Sequence, residues 1–289
     1  MTQAVLEVNQ LTKRFQRFCL DHVNFSLEEG CITGFIGTNG SGKTTTIKSI
    51  LGLVVKDSGR IRLFGEDLNK NERKLKDRIG FVMDEGYFYE NLTLKAMKNV
   101  LAAAYSQWDE AVFLSYIKRF KLDLKQKIAS LSKGMRMKYA VALALSHHAD
   151  LLIMDEPTSG LDPLVRSELM DILLEFMQEE GKSVFFSTHI TSDLEKIADM
   201  LILIDHGQII FEEEKDELLE THVRVKGDNA WINEETRGLF LSVRQSPYGF
   251  EAVTNQRDNV RAVMPEAVIE RACIEDIMLA YIGGDHDAD

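Results

Sequence analysis

Apolar positions in the first third of the chain come in short runs and alternate with polar residues, where a helix would repeat them every three or four. Residues 5–8 and 20–25 show this pattern, and 32–36 is mostly apolar before a glycine-rich turn, so each predicts a strand. The period then changes. Ile47, Ile50 and Leu51 recur at helical spacing, and no proline or glycine intervenes before Gly52, which predicts a helix over 44–53. Residues 61–64 and 79–83 predict two more strands, the first ended by a turn at Gly65.

Between 92 and 148, Ala, Leu, Lys and Met dominate without a β-branched run, the composition of a helical insert. Short apolar runs at 151–154 and 184–187 flank a helical pattern over 163–179, as parallel strands joined by a crossover helix would. Residues 201–204 and 208–211 predict a hairpin turning at His206 and Gly207. After the acidic stretch 212–220 come short mixed elements near 222–225, 239–244 and 250–253, then a periodic segment over 274–281. A boundary near Glu220 divides the chain into a main domain, 1–220, and a small C-terminal domain, 221–289.

A length of 289 residues suits one large α/β domain with a small appendage. With 34 basic and 46 acidic residues the formal charge is -12, which disfavours non-specific attraction to nucleic acid or to an anionic membrane. No nucleic-acid partner is expected. Cys19, Cys31 and Cys273 are odd in number and lack metal-ligand spacing, as in a reducing cytosol. The longest apolar runs fall far short of the roughly 20 residues that span a bilayer, and the opening MTQAVLEVNQ lacks the segments of a signal peptide. A soluble chain is expected, with any membrane role supplied by a partner.

The strongest chemical signal is GTNGSGKT, comprising Gly37, Thr38, Asn39, Gly40, Ser41, Gly42, Lys43 and Thr44 and followed by Thr45. It fits G-x-x-x-x-G-K-[ST] between a predicted strand and a predicted helix. Backbone N–H groups of such a loop converge on phosphate oxygens, and the helix N-terminus adds partial positive charge. Lys43 would reach the β and γ phosphates of ATP, and the Thr44 hydroxyl would ligate Mg²⁺.

A second segment, LLIMDEPTSGLD, places Asp155 and Glu156 at the C-terminal end of an apolar strand, where open α/β sheets bind ligands. Asp155 suits the Mg²⁺ hydration shell and Glu156 suits a general base for an attacking water. Taken alone, Asp-Glu-Pro also reads as a helix start. A third segment, SLSKGMRMKYAVALAL, reads as a buried helix capped by a serine.

Together these three segments resemble the ABC transporter ATPase family, and the match spans residues 1 to about 220. The resemblance implies a fold class of α/β: a phosphate-loop NTPase core with a helical subdomain at about 92–148, followed here by a small α+β appendage. Where the family signature reads LSGGQ, this chain has Leu131, Ser132, Lys133, Gly134 and Met135. Ser132 and Gly134 are then implied to contact the γ-phosphate of ATP held by a second ATPase subunit, a copy of this chain or a paralogue. Lys133 and Met135 depart from the consensus and bear on the rate of turnover.

By the same resemblance Phe15 stacks on adenine, although a lone phenylalanine also reads as core. Residues 159–162 match the loop crossing the dimer interface, with Pro163 starting the next helix. His189 matches the switch histidine that hydrogen-bonds the γ-phosphate. The other histidines, including His147 and His148, read as surface. Asp84 stands where the family carries glutamine, and two readings remain for it: a Mg²⁺ ligand or a solvated loop residue. Tyr87, Phe88 and Tyr89 follow in the stretch that touches the membrane subunit, or they are packed core.

The implied function is an ATP-hydrolysing motor subunit, peripheral at the cytoplasmic face of the membrane and joined to a separate integral-membrane permease. Within the family the chain resembles the branch that exports drugs and antimicrobial or toxic peptides. Two other readings are a soluble ABC ATPase uncoupled from transport and a low-activity ATP-binding partner of a paralogue. For the region beyond 220, dimerisation, regulation and covering a sheet edge all fit the pattern.

Overall fold

The computed structural model of the protein describes residues 4–83 and 87–283. At its centre lies a six-stranded sheet ordered Gln208–Glu214, Met200–Asp205, Ile32–Ile36, Ser183–Thr188, Leu151–Asp155 and Ile79–Met83. Five of these strands run parallel, and Gln208–Glu214 pairs antiparallel at one edge. Its hairpin turns at His206 and Gly207, whose φ angles of 45° and 79° give the mirror-image turn that matches strand twist.

Ile32–Ile36, Leu151–Asp155 and Ser183–Thr188 are buried at every position. Layers cover both faces of the sheet, so these strands appear in the sequence as apolar runs without alternation. Successive side chains point to opposite sides. Phe35 and Phe185 meet Phe25 on one face, with ring centroids 5.1 to 5.7 Å apart. Ile47 and Ile50 of the helix Lys43–Ile50 join them there, beneath an antiparallel sheet of Cys19–Glu28, Ala4–Arg14, Ser58–Leu63 and Glu66–Asp67. Ile36 and Phe186 point the other way, into a core shared with the helices Lys133–Leu145, Pro163–Phe176 and Thr191–Ile197.

The predicted helical insert consists of Leu94–Ala102, Glu110–Arg119 and Lys133–Leu145. Each is capped by a short polar side chain that satisfies otherwise orphaned N–H groups. The Thr93 hydroxyl accepts from Ala96 N at 3.2 Å, the Asp109 carboxylate from Ala111 N at 2.8 Å, and the Ser132 hydroxyl from Met135 N at 3.2 Å.

Beyond the helix Lys215–Thr221, the strands Ser242–Ser246, Gly249–Thr254, Val223–Gly227 and Val268–Arg271 form an antiparallel sheet in that order. It has a small core around Val225, Phe250 and Val260. The last helix, Ile274–Gly283, packs elsewhere. Ile274, Ile277 and Met278 are buried in the main core with Leu194 and Ile197 of Thr191–Ile197. The Ile274 N–H donates to Glu195 Oε1 at 3.1 Å.

Two histidines differ from their surface reading. His147 is 1% exposed, stacks on Tyr105 with centroids 3.7 Å apart, and places Nε2 3.1 Å from the Ile79 carbonyl. His222 is 3% exposed, with Nε2 3.0 Å from the Tyr281 hydroxyl. Both follow helix ends that run into packed layers, so the ring turns inward where sequence alone shows only a polar residue. His148 and His206 are exposed as expected. Among the described residues no helix is long and apolar enough to cross a membrane.

Candidate active site

The parallel strands deliver the chemistry to the C-terminal end of the sheet. In register, Ile36 lies beside Thr188, and Asp155 lies between Met83 and Ser187. The phosphate loop leaves Ile32–Ile36, the two acidic residues end Leu151–Asp155, and His189 follows Ser183–Thr188. Parallel pairing therefore gathers residues far apart in sequence without any long-range bend of the chain.

Glycine is required in the loop for definite reasons. A Cβ at Gly37 would sit 2.3 Å from the Ile204 carbonyl oxygen and 2.6 Å from Ser41 Oγ. At Gly42, φ is 118° and a Cβ would meet Leu20 Cδ2 at 2.8 Å and Phe18 Cζ at 2.9 Å. Lys43 is 5% exposed and donates from Nζ to the carbonyls of Gly37 at 2.7 Å and Thr38 at 3.1 Å. Ser41 Oγ is buried without a hydrogen-bond partner among the described residues. A buried hydroxyl left unpaired costs free energy, so this orphan beside loop N–H groups fits a phosphate oxygen as its partner. Asn39, Gly40 and Thr44 lie on the open side of the loop, while Thr38 and Thr45 are half-buried.

Asp155 is 4% exposed and accepts from Ser187 Oγ at 3.1 Å. Burial pushes its carboxyl above the usual carboxylate range, and hydrogen bonds from Thr44 and Ser187 work against that rise. Thr44 and Asp155 are thus adjacent, as a shared metal ligand pair must be.

Glu156 carries a left-handed φ of 50°, a conformation that disfavours non-glycine residues and recurs at functional sites. Its N–H donates to the Ser187 carbonyl at 2.9 Å, fixing the turn against the neighbouring strand. The turn aims the side chain between two cations or donors. Oε1 lies 3.4 Å from Lys43 Nζ, and Oε2 lies 2.7 Å from His189 Nδ1 while accepting from His189 N at 3.3 Å. Lys43, Glu156 and His189 form one chain of contacts ending at a partly open imidazole.

Phe15 lies outside this chain of contacts. It is 49% exposed, in a turn closed by its own N–H donating to the Phe18 carbonyl at 2.7 Å. Because Phe18 abuts Gly42, that turn stands beside the phosphate loop. Ser132 and Gly134 sit at the start of Lys133–Leu145, and no hydrogen bond among the described residues joins them to the phosphate loop of the same chain. The opening of their helix instead faces Gly160 through Lys133, and Val165 through Gly134. Asp162 caps Pro163–Phe176 by accepting from Leu164 and Val165 N–H groups, with Pro163 in the first turn. Asp84 lies outside the described residues.

Sequence reasoning missed Ser187, which binds Asp155 through its hydroxyl and Glu156 through its carbonyl. Its position at the polar end of an apolar run, in register with Asp155, was the available signal. It also missed the Arg166–Asp193 pair, 2.5 Å apart with Asp193 1% exposed, which ties Pro163–Phe176 to the helix after His189.

Comparison with known proteins agrees with this geometry. The family described as ABC transporter matches residues 20–159. The bacitracin transport ATP-binding protein BcrA of Bacillus licheniformis is 35% identical over 216 residues, covering 72% of this chain and 69% of that protein. The lantibiotic transport ATP-binding protein SrtF of Streptococcus pyogenes is 33% identical over 219 residues, covering 73% and 92%. A solved ATP-binding subunit of an ABC transporter superposes with a TM-score of 0.68 at 29% identity, covering 75% of this chain and 92% of that one. The chain belongs to the ABC transporter family and is an ATP-hydrolysing enzyme with its phosphate-loop fold.

Proposed function

We propose that this protein is the motor subunit of an exporter for peptides or drugs, turning over ATP in a dimer and passing the movement to a separate membrane permease. The arrangement of Glu156 carries the catalytic half of this reading: a carboxylate in a strained turn, between the phosphate-loop lysine and His189. Glu156 orients and deprotonates the attacking water, and His189 holds the γ-phosphate and senses its loss. The similarity to bacitracin and lantibiotic transport proteins supports export as the coupled task.

Mg²⁺ fits the donors present. It takes one or two protein oxygens and leaves other positions to phosphate and water, and the Thr44 hydroxyl with the Asp155 carboxylate supplies that set. Held by Thr44 and Asp155, Mg²⁺ would supply positive charge to offset the negative charge developing on the phosphates. Ser187 keeps Asp155 oriented for it.

Ser132 and Gly134 open a helix away from the chain's own phosphate loop, which supports their use on ATP held by a second subunit. For the permease, the fitting surface is a groove of about 430 Å³ bordered by Leu51, Leu53, Ile79, Phe81, Ala104 and Tyr105. Leu53 is 59% and Phe81 40% exposed, and Tyr87 and Tyr89 stand open at 64% and 67%. An amphipathic cytoplasmic helix would cover such a groove. Phe88 serves the core instead, 5.3 Å from Tyr139.

The test is Glu156→Gln. Turnover should fall about 10²- to 10⁴-fold, while ATP still binds and an ATP-bound dimer accumulates in sedimentation. Unchanged turnover would falsify the general-base assignment. An exporter role predicts that the protein co-purifies with a permease and that Leu53→Glu breaks the pair while ATP binding persists; retention of the pair by that variant would remove the groove from the reading.

A further inference from the structure

The last helix faces two environments. One side is buried against Leu194 and Ile197 in the main core. The other contributes Asp276, Leu279, Ala280 and Gly283 to a cavity of about 140 Å³ against the C-terminal sheet, made of residues other than those of the nucleotide site.

The cavity is lined by Arg224, Arg237 and Arg244, in a chain whose net charge is -12. Its carboxylates are already engaged. Asp276 accepts from Cys273 N at 3.1 Å and lies 3.8 Å from Arg224, while Glu251 lies 3.6 Å from Lys226. Arg224 is paired with Glu270 at 2.7 Å. Arg237 reaches only the Phe240 carbonyl, at 3.3 Å, and Arg244 makes no ion pair among the described residues, although Glu251 is its cross-strand neighbour. Two guanidinium groups that make no ion pair among the described residues therefore border a half-open cavity. Planar, forked donors of this kind recognise carboxylate and phosphate groups.

We propose that this cavity binds a small multivalent oxyanion, a dicarboxylate or a phosphate compound, through Arg237 and Arg244, and that the last helix carries its occupancy to the switch segment. The route is short. The helix that lines the cavity also binds Glu195 through the Ile274 N–H and packs on Leu194, and the segment Thr191–Ile197 begins two residues after His189. A ligand that shifts the last helix thus biases the element that holds the switch histidine.

The test separates binding from coupling. Calorimetric titration with succinate and with inorganic phosphate uses the full chain carrying Lys43→Ala, so that heat from the phosphate loop does not contribute. At least one probe should bind, and adding Arg237→Ala with Arg244→Ala should weaken it about tenfold or more. Arg244→Glu alone, at an exposed position that the fold does not need, should do the same. Failure of both probes at millimolar concentration, or binding unaffected by Arg244→Glu, overturns the site.

Asp285, Asp287 and Asp289 offer the same chemistry from the chain itself. A chain ended at Gly283 that binds the probe with unchanged affinity supports a free anion, and a tenfold gain overturns that in favour of these carboxylates. In the protein with Lys43 intact, the bound probe should change ATP turnover by about fivefold. Arg244→Glu should abolish that response without altering the basal rate. Binding with no change in turnover overturns the coupling.

Discussion

Ending the chain at Glu220 should destabilise the ATPase core, because the last helix, which follows the C-terminal sheet in the chain, packs back into that core. Ile274 and Ile277 are 0% exposed and Met278 is 7%, all three among residues of the main core. Full burial of such a side chain stabilises by about 1.5–3 kcal/mol, so losing three removes about 5–9 kcal/mol of gross apolar stabilisation. Folded proteins of ordinary size are stable by only about 5–15 kcal/mol. A single Ile277→Ala change should cost about 2–5 kcal/mol, lowering the Tm by about 5–15 °C at the few degrees per kcal/mol expected for this size. Thermal unfolding followed by circular dichroism would compare the full chain, Ile277→Ala and the chain ended at Glu220. A shortened chain that melts with the full one would refute the reasoning, because it would show that the buried contacts of Ile274–Gly283 stabilise nothing in the ATPase.

Gly42→Ala combines a φ of 118° with a Cβ 2.8 Å from Leu20, and should cost about 1–3 kcal/mol of stability and weaken ATP binding; a variant with native melting and native affinity would contradict the tight loop geometry. Phe15→Ala should weaken ATP binding about fivefold if measured with a fluorescent analogue, the worth of one aromatic contact, and unchanged affinity would place the adenine elsewhere. Burial holds the pKa values of His147 and His222 below the ordinary 6.5. The unfolded chain then takes up more protons as pH falls, so stability is fullest above about 6.5 and declines below it towards the folded-state values. Replacing His147 with Gln should flatten part of that acid limb in a series of melting curves, whereas an identical slope would mean that His147 does not drive it.

The sequence made the site more legible than the periphery, for a physical reason. Strands buried on both faces, such as LLIMD and SVFFST, can only be apolar runs, and the polar residues ending them stand out. The phosphate loop is legible because a Cβ at Gly37 would clash with the Ile204 carbonyl, and one at Gly42 with the Leu20 and Phe18 side chains at a left-handed φ, so both positions favour glycine. The C-terminal region lacks such constraints. Val268–Arg271 is four residues long and half-exposed, and Arg257–Val263 has few apolar positions, so neither gives a clear period. The inward turn of His147 was equally hidden, since it depends on Tyr105, a residue 42 positions away whose ring stacks on it. Nor does periodicity report which core a helix joins: Ile274–Gly283 reads as amphipathic whether it covers the small sheet or the main one.

The contacts of Ser187 explain how these two levels join. Its carbonyl holds the Glu156 N–H and its hydroxyl holds Asp155, so the proposed metal ligand and the proposed base are both referenced to one position on Ser183–Thr188. His189 continues from that same strand and grips Glu156 from the other side at 2.7 Å. Any displacement of the segment after His189 is therefore felt at Glu156 through a side-chain contact, while Ser187, inside the sheet, stays fixed. The two restraints act on different parts of Glu156, Ser187 on its backbone N–H and His189 on its carboxylate. Arg166 binds Asp193 and Glu195 binds the Ile274 N–H, so the segment is held from the loop side by Pro163–Phe176 and from the C-terminal side by the last helix. This makes the last helix, beyond Glu220, a structural restraint on the segment that follows His189, the residue that contacts the proposed base.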